Sequence, residues 1–291
     1  MKTLLRGILF CLPFMVLGQS KGTIKFKETV NVRVETDDPE MQQRMANMPS
    51  SFDNYSILYF DGPKSIYVAD AAERDKAALL EESRNAGAEG GGRGGMRMMF
   101  RRGGADNAYY ADQENGIFVQ KIDFLGRKFI VTDPPKTFEW QVHEDQKTIL
   151  GYQCIKATFV DTSAVGGFQM AFGGPRGNRN NNAQATPKPE PRKITAWFAP
   201  QIQASVGPNE YGQLPGAILQ LEIGRTVFVA TSVEIDKVPE NVIKTPEGGQ
   251  KMNRKEFQKM SEEKMREMRE SMGPPGGRGN EGGRTTIRIG N

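Results

Sequence analysis

The stretch "GPNEYGQLPGAILQLEIG", from Gly207 to Gly224, carries the strongest backbone signal in the chain. In its Leu-Pro-Gly centre, Pro215 fixes φ at the first central position of a turn and Gly216 supplies a positive φ at the second, which predicts a type II turn. The apolar run that follows predicts a strand. Its alternation puts one set of side chains on one face (Ala217, Leu219, Leu221, Ile223) and a second set on the other (Ile218, Gln220, Glu222). Because a slip of one residue would reverse every side chain, we interpret the turn as the feature that sets the register of this strand.

Alternating segments fill most of the chain on both sides of this stretch. The first, "TIKFKETVNVRVE", places Ile24, Phe26 and Val30 on one face and lysines on the other, which is typical of an antiparallel strand over a core. Nine or ten such strands are predicted in total, and no strand–helix–strand pattern repeats, which argues against a parallel sheet. The sequence therefore predicts a mainly β fold, with one curved antiparallel sheet that resembles a half-barrel and short flanking helices.

Two segments are too rich in glycine, proline or asparagine to hold regular structure, so we expect disordered inserts at about 87–107 and 164–192. Helical patterns are predicted at 38–49, at 70–85 and at about 253–272. The predicted organisation is a signal peptide over 1–18 and a single β-rich domain over 19–240 that contains both inserts. A charged helix and a disordered glycine-rich tail follow over 241–291.

The first residues, "MKTLLRGILFCLPFMVLGQS", have a basic start and a short apolar stretch, which is the plan of a secretory signal peptide. We therefore expect export to the periplasm or the outer membrane, with no stable transmembrane segment after processing. A retained membrane anchor is the alternative, but the apolar stretch is shorter than the roughly 20 residues that cross a bilayer. Without Lys2 and Arg6 the formal charge falls from +4 to about +2, so charge gives no argument for nucleic acid.

A resemblance to a known family rests on three segments in order. "GPNEYGQLPGAILQLE" resembles the signature of the GLPGLI family of secreted envelope proteins of Gram-negative bacteria, and "KTILGYQCIKAT" (147–158) and "TAWFAPQI" (195–202) resemble its glycine-tyrosine-cysteine and tryptophan strands. Gln213 and Ala217 depart from the motif. The resemblance implies an envelope location and a structural role for eleven residues: Gly207, Pro208, Leu214, Pro215, Gly216, Ile218, Leu219, Gly151, Tyr152, Cys154 and Trp197. The family has no established activity.

Catalytic residues are hard to find in this sequence. His143 is the only histidine, so a hydrolase of the Ser-His-Asp or Cys-His type would depend on it alone, and we interpret it as an exposed residue near a strand end. After export Cys154 would be the only cysteine, either buried and inert or free to pair with another chain. We predict that the protein is not an enzyme and needs no cofactor.

Two binding functions remain. The first is an exported, non-catalytic binding protein, whose concave face holds an apolar ligand or a segment of a partner protein. The alternative is a periplasmic protein that handles Cu(I), because thioether sulfur is a soft ligand for this ion and Met96, Met98 and Met99 lie close together. The two are distinguished by whether deletion of that methionine cluster abolishes Cu(I) uptake.

Overall fold

The protein is described from a computed structural model, which covers residues 20–36, 50–85, 107–162, 191–271 and 285–289. Thirteen strands and two helices lie in these ranges. The strands are β1 (Lys21–Thr36), β2 (Ser51–Asp61), β3 (Lys64–Ala69), β4 (Ala108–Asp112), β5 (Ile117–Phe124), β6 (Arg127–Asp133), β7 (Gln141–Ile149), β8 (Tyr152–Asp161), β9 (Arg192–Ala199), β10 (Ala217–Ile223), β11 (Thr226–Ile235), β12 (Gln250–Met252) and β13 (Thr285–Ile289). The helices are α1 (Ala71–Asn85) and α2 (Arg254–Ser271).

The strands form one open sheet in the order β12-β6-β5-β4-β3-β2-β1-β11-β10-β9-β8-β7, with β13 paired to the last part of β1. All pairs are antiparallel except that of β12 with β6, which is parallel and three residues long. The prediction of a mainly β fold built on one antiparallel sheet is confirmed. The parallel strand was not predicted, because three residues are too few to show an alternating pattern.

The order of the strands requires the sheet to curve. β6 and β7 are consecutive in sequence, yet ten strand-to-strand steps separate them, which is about 48 Å in a flat sheet. The connection from Asp133 to Gln141 reaches at most about 28 Å even when fully extended. The two ends of the sheet must therefore approach each other, and residues 134–140 bridge them. We call these residues the strap.

Apolar side chains are buried on both faces of the sheet. The main cluster lies inside the curve and joins β1, β2 and β3 to β8–β11; Ile24, Phe60, Phe198 and Leu221 are among its members. A smaller outer cluster around Tyr110 and Ile130 packs against Ile243, in the segment between β11 and β12. A third cluster forms where α2 packs on β5 and β6.

Local signals predicted the hairpins and the ends of the helices well. The turn at Gly62–Pro63 joins β2 to β3, and β10 turns into β11 at Gly224. The amide of Glu73 donates to the Asp70 carboxylate at 3.2 Å and so caps the start of α1. Asn253 and Glu256 form both bonds of a capping box before α2.

Two predictions about individual strands were wrong. The segment "TFEWQVHED" (137–145) predicts a strand from Thr137, but β7 begins at Gln141. The residues before it form the strap, in which Pro134 and Pro135 cannot donate to a ladder. In β10 a β-bulge between Ile218 and Gln220 changes the predicted alternation. Ile218 lies opposite Phe198, and Leu221 lies opposite Ala196, so these two residues share the inner face.

Several predictions fall on parts of the chain that the structure does not describe. These are the signal peptide, the helix at 38–49, nearly all of both inserts, and the tail from 272 to 284. Within the described ranges, neither helix has the length and apolar character needed to cross a membrane.

Candidate functional site

The family-like residues near Gly216 lie in a buried segment between β9 and β10. We call residues 200–216 the plug, because they fold back inside the curved sheet. Pro208 and Leu214 are buried there, together with Ile202, Ala204 and Val206. The plug pairs with the start of β10, since Ala217 donates to the carbonyl of Ile202 and Ile218 to that of Val206. The inner face is therefore occupied by the chain itself.

The plug also contacts strands on the far side of the sheet. The side-chain amide of Gln113, in the turn between β4 and β5, donates to the Ser205 carbonyl at 2.7 Å. The Ser20 amide, just before β1, donates to the Gln203 carbonyl at 3.3 Å. Because β4 and β10 are five strands apart in the sheet, these bonds show that the plug crosses the interior.

The bend at Pro215 differs from the predicted type II turn. The Gly216 amide donates to the Leu214 carbonyl, two residues back, whereas Ala217 donates to Ile202 instead of closing a four-residue turn. Gly216 has φ of 155°, and a Cβ at this position would overlap the carbonyl group of Ala199. Glycine is required here mainly because two backbone segments pass very close to each other. A Cβ on Gly207 would similarly lie 2.6 Å from the Tyr211 carbonyl oxygen.

The strap is fastened to the plug by side chains from both segments. The Phe138 amide donates to Oε1 of Gln213 at 3.1 Å, and Nε2 of Gln213 donates to the Lys136 carbonyl. Trp140 donates its ring N–H to the Gly212 carbonyl at 2.9 Å. Gln213, which departs from the family motif, thus joins strap and plug.

Aromatic rings fill the space between strap, plug and β8. Phe138 lies 5.3 Å from both Phe159 and Tyr211, and Trp140 meets Phe159 edge-on at 4.7 Å between ring centroids. Burial, followed by the charge of Glu210, raises the pKa of Tyr211 well above its ordinary value. We conclude that this end of the interior is closed by packing.

The other family-like residues lie on the hairpin of β7 and β8 and on β9. Leu150 and Gly151 form its two-residue turn with φ of 50° and 84°, the pattern of a type I′ turn. Tyr152 begins β8 opposite Ile149, and Cys154 lies opposite Lys147. Trp197 lies two strands in from the edge, opposite Lys156. The structure thus separates the predicted set into a buried plug and a hairpin at the end of the sheet.

Charged side chains cover Trp197 on the outer face. Lys147 Nζ lies 4.1 Å from the centroid of the Trp197 ring and donates to Gln220 Oε1 at 2.7 Å. Gln220 in turn donates to Glu222 at 2.6 Å. Burial lowers the pKa of Lys147, while the nearby Glu222 carboxylate opposes this effect. We call this group of four side chains the Trp197 face.

Cys154 is fully buried beside the Trp197 face, which agrees with the first of the two alternatives that the sequence left open. Its Sγ lies 3.6 Å from the Tyr152 carbonyl. Burial raises the pKa of its thiol to about 11, and the nearby Lys147 opposes the shift only in part. Because the thiolate is the reactive form, a thiol in this environment is a poor nucleophile and a poor partner for disulfide exchange.

The described His, Cys, Asp and Glu side chains form no metal centre. His143 pairs its Nε2 with the Thr158 hydroxyl at 2.8 Å. No group of three or more histidine, cysteine, aspartate or glutamate side chains within the described ranges could hold a metal ion. Met96, Met98 and Met99 fall outside those ranges, so the Cu(I) hypothesis stays a prediction.

β7 is the exposed edge strand at the end of the sheet next to β8. None of its nine residues is buried, and no described strand pairs with its outer side. Val142 is 56% exposed, and Leu150 and Val160 of the same hairpin are similarly open. Asp145 pairs with Lys156 at 3.5 Å, whereas Glu144 has no ionic partner among the described side chains. β7 is therefore an open sheet edge that carries Glu144, an acidic residue without an ionic partner among the described side chains.

Glu28 is an acidic residue that the sequence patterns above did not single out. By its spacing Glu28 shares a face with Ile24 and Phe26, and β1 places it opposite Asn54 on the inner side of the sheet. Burial raises the pKa of its carboxyl group. An acidic residue on an otherwise apolar face was the signal that could have identified this position.

Two depressions lie on the outer face of the sheet. One, of about 390 Å³, is lined largely by polar side chains that include Lys25, Tyr59 and Asp236. The other, of about 290 Å³, lies beside Val68 and Pro246. Both are wide and shallow, unlike the enclosed pockets that hold most small ligands.

Comparison with known proteins gives a limited match. The model of a family described as "Protein of unknown function (Porph_ging)" matches residues 140–220, which run from the end of the strap to β10 and include the plug. No curated protein matches the chain. Two crystal forms of PNGF-II are structurally similar, with TM-scores of 0.45 and 0.47 at 13% identity; they cover 83% of this chain. The chain spans about a third of the length of PNGF-II, or 33% and 32% in the two forms. The matched family segment contains the open edge, the plug and every member of the Trp197 face except Glu222.

Proposed function

We propose that the protein is an exported, non-catalytic binding protein of the cell envelope, of the GLPGLI type. In this proposal it binds a segment of a partner protein as an added strand along β7. The GLPGLI assignment is supported by the Leu-Pro-Gly bend and the residues after it. Export is supported by the basic start and short apolar stretch of residues 1–18.

The observation that carries the proposal is the open edge at β7. Two-residue hairpins place the residues beside the turn in a hydrogen-bonded pair, so Ile149 and Lys147 direct their backbone groups to β8. Gln146 and Thr148 then direct theirs away from the sheet. A partner segment can use these groups, because strand addition to a free edge forms the same main-chain bonds as a sheet.

The interior gives less support to an apolar ligand. A carrier of this kind needs a concave apolar space, whereas here the plug fills the inner face with its own apolar residues. The two shallow outer depressions do not enclose a ligand. Between the two ligands that the sequence left open, a partner segment therefore fits the described surface better.

The side chains of β7 suggest what the partner carries. Glu144 projects from the edge with no ionic partner among the described residues, and Val142 exposes an apolar side chain two residues away. A complementary strand places a lysine or arginine near Glu144 and an apolar residue near Val142, since such cross-strand pairs stabilise a sheet by a few tenths to about 1 kcal/mol each. The expected partner is an extended basic–apolar segment.

Photo-crosslinking in cells tests this proposal with the full chain. A photoreactive residue at Gln146 should capture a partner peptide that mass spectrometry maps to such a segment, and one at the exposed Lys244 should not. Thr148→Pro removes the outward N–H without disturbing the bonds to β8 and should abolish capture, whereas Thr148→Ala should retain it. Glu144→Arg should reduce capture several-fold.

The outcomes are distinct. Thr148→Pro should leave the melting temperature nearly unchanged, so loss of capture would report the edge and not the fold. Equal crosslinking at Gln146 and Lys244, or capture that survives Thr148→Pro, would overturn strand addition. A crosslink to a second copy of this chain would replace the partner protein with self-association.

A further inference from the structure

Two hairpins of the described sheet have a leucine at a turn position that leucine rarely occupies. Leu150 precedes Gly151 between β7 and β8, and Leu125 precedes Gly126 between β5 and β6. Both leucines have a positive φ, of 50° and 53°. Two-residue turns of this kind favour asparagine, aspartate or glycine, because a bulky side chain is strained in the left-handed region. Leucine at these positions therefore strains the backbone of the turn.

Packing within the chain does not offset this strain at Leu150. The residue is 47% exposed, and it belongs to none of the hydrophobic clusters that the described residues form. An apolar side chain that stays exposed gains little from folding, so the strain of its backbone is left uncompensated. Such a conflict between a residue and its local conformation is expected where the residue takes part in binding.

The strand-addition site beside Leu150 needs more than main-chain bonds. Between the β-bulge and the turn, β7 pairs regularly with β8 only from Gln146 to Ile149. Gln146 and Thr148 direct their backbone groups outward there, and each can exchange about two hydrogen bonds with a partner strand. Such bonds replace bonds to water and add little net affinity, whereas association has its own entropic cost. Side-chain contacts must supply the rest of the affinity.

Leu150 lies at the end of this regular stretch. It follows Ile149 directly, and Ile149 lies opposite Tyr152 at the base of the turn. Ile149 and Tyr152 are partly buried against the main apolar cluster, so the exposed Leu150 adds to the apolar side chains at the tip of the hairpin. A segment that pairs with Thr148 comes level with Leu150 two residues further on, or about 7 Å along a strand.

We propose that Leu150 is an apolar anchor of the strand-addition site, which packs against an apolar side chain of the partner two positions from the residue that pairs with Thr148. This role rests on the proposed function, because it requires a segment added along β7. The partner then carries an apolar residue at the Leu150 end, in addition to the basic residue near Glu144. Leu125 has the same turn, but it lies at the end of the sheet where β12 pairs with the edge strand.

Asparagine substitutions separate the strain of the turn from binding. Leu150→Asn should raise the melting temperature by about 2–4 °C, because asparagine accepts a positive φ more readily than leucine. It should also lower the yield of the crosslink through Gln146 about five- to tenfold, because the apolar contact is lost. Leu125→Asn is the matched control: it should raise the melting temperature similarly and leave the crosslink yield unchanged. Leu150→Phe keeps an apolar side chain and should retain capture.

A photoreactive residue in place of Leu150 maps the contact directly in the full chain. It should capture the same partner segment as a photoreactive residue at Gln146, and mass spectrometry should place the two crosslinks about four residues apart on that segment. A photoreactive residue in place of Leu125 should not crosslink to the segment.

The outcomes separate this role from strand addition itself. If the parent is captured through Gln146 and Leu150→Asn is captured equally well, Leu150 is not an anchor, but strand addition stands. Equal losses with Leu150→Asn and Leu125→Asn, or a lower melting temperature for Leu150→Asn, would also overturn the role of Leu150. No capture of the parent through Gln146 would overturn strand addition and the anchor together.

Discussion

The two ends of this sheet are built in opposite ways. At the β6 end, β12 pairs with the edge strand, and α2 places Phe257 against Phe124 and Phe129 at 5.9 and 5.4 Å between centroids. At the β7 end, no residue of the edge strand is buried. Exposed sheet edges invite pairing, and proteins usually protect them with charges, bulges or a covering element.

At one end the edge strand of the sheet is covered by other elements of the chain, and at the other end it is free to pair. The closed edge is secured by Arg254 at the start of α2, whose guanidinium lies 3.6 Å from Asp133 and 3.4 Å from Glu210. The open edge carries charged side chains and a β-bulge between Val142 and Gln146. Such features disfavour edge-to-edge aggregation but leave the backbone groups of the strand uncovered. An edge protected by charges and a bulge can still pair with a partner strand whose side chains complement it.

The largest expected effect is at the closed edge. Phe257→Ala removes a buried ring that packs on two others, so the free energy of unfolding should fall by about 3–5 kcal/mol in urea denaturation. Val142→Ala at the open edge is the control and should cost less than about 0.5 kcal/mol, because Val142 is exposed. Equal losses at the two positions would contradict the comparison.

The plug between the two edges should be nearly as sensitive. Gly216→Ala forces a Cβ against the Ala199 carbonyl group, and we expect a loss of about 2–3 kcal/mol on denaturation. Gly248→Ala tests backbone strain alone, since Gly248 has φ of 82° and open space around it; about 1 kcal/mol is expected. If Gly216→Ala cost no more than this control, the close approach would not be the reason for glycine.

The pH dependence of stability at Cys154, on β8 next to β7, tests whether solvent reaches the second strand of the sheet. Its pKa is raised to about 11 in the folded chain, whereas an unfolded thiol titrates near 8.5. The unfolded state therefore loses its proton first as the pH rises. From pH 8 to pH 10 the parent should lose about 1–2 kcal/mol of stability relative to Cys154→Ala. An identical pH dependence of the two proteins would show that Cys154 is accessible.

The smallest effect is expected from the ionic contacts of the two edges. Arg254→Ala breaks two ion pairs that are about one-third exposed, so a loss of about 1 kcal/mol that shrinks in high salt is expected. Glu144→Ala should change the melting temperature very little, because Glu144 has no ionic partner among the described side chains. A larger effect from Glu144 would mean that β7 is covered in the free protein.

Local patterns predicted the strands and hairpins because period-two alternation and turn residues act over a few positions. The strap could not be predicted in this way, since nothing in residues 134–140 states that the next strand lies ten places away in the sheet. Glu28 was missed for a related reason. Its spacing assigns Glu28 to the face of Ile24 and Phe26, but only the neighbouring strands show that this face lies inside the curved sheet.

By itself the sequence determined that this chain forms antiparallel strands, where most of them begin and end, and that glycine and proline control the segment before β10. The tertiary structure alone decided that this segment fills the interior, that Gly216 is needed for a close backbone contact, and that one edge is covered while the other stays open. Strand formation depends on neighbours in sequence, whereas burial and edge exposure depend on which distant segments the curved sheet brings together.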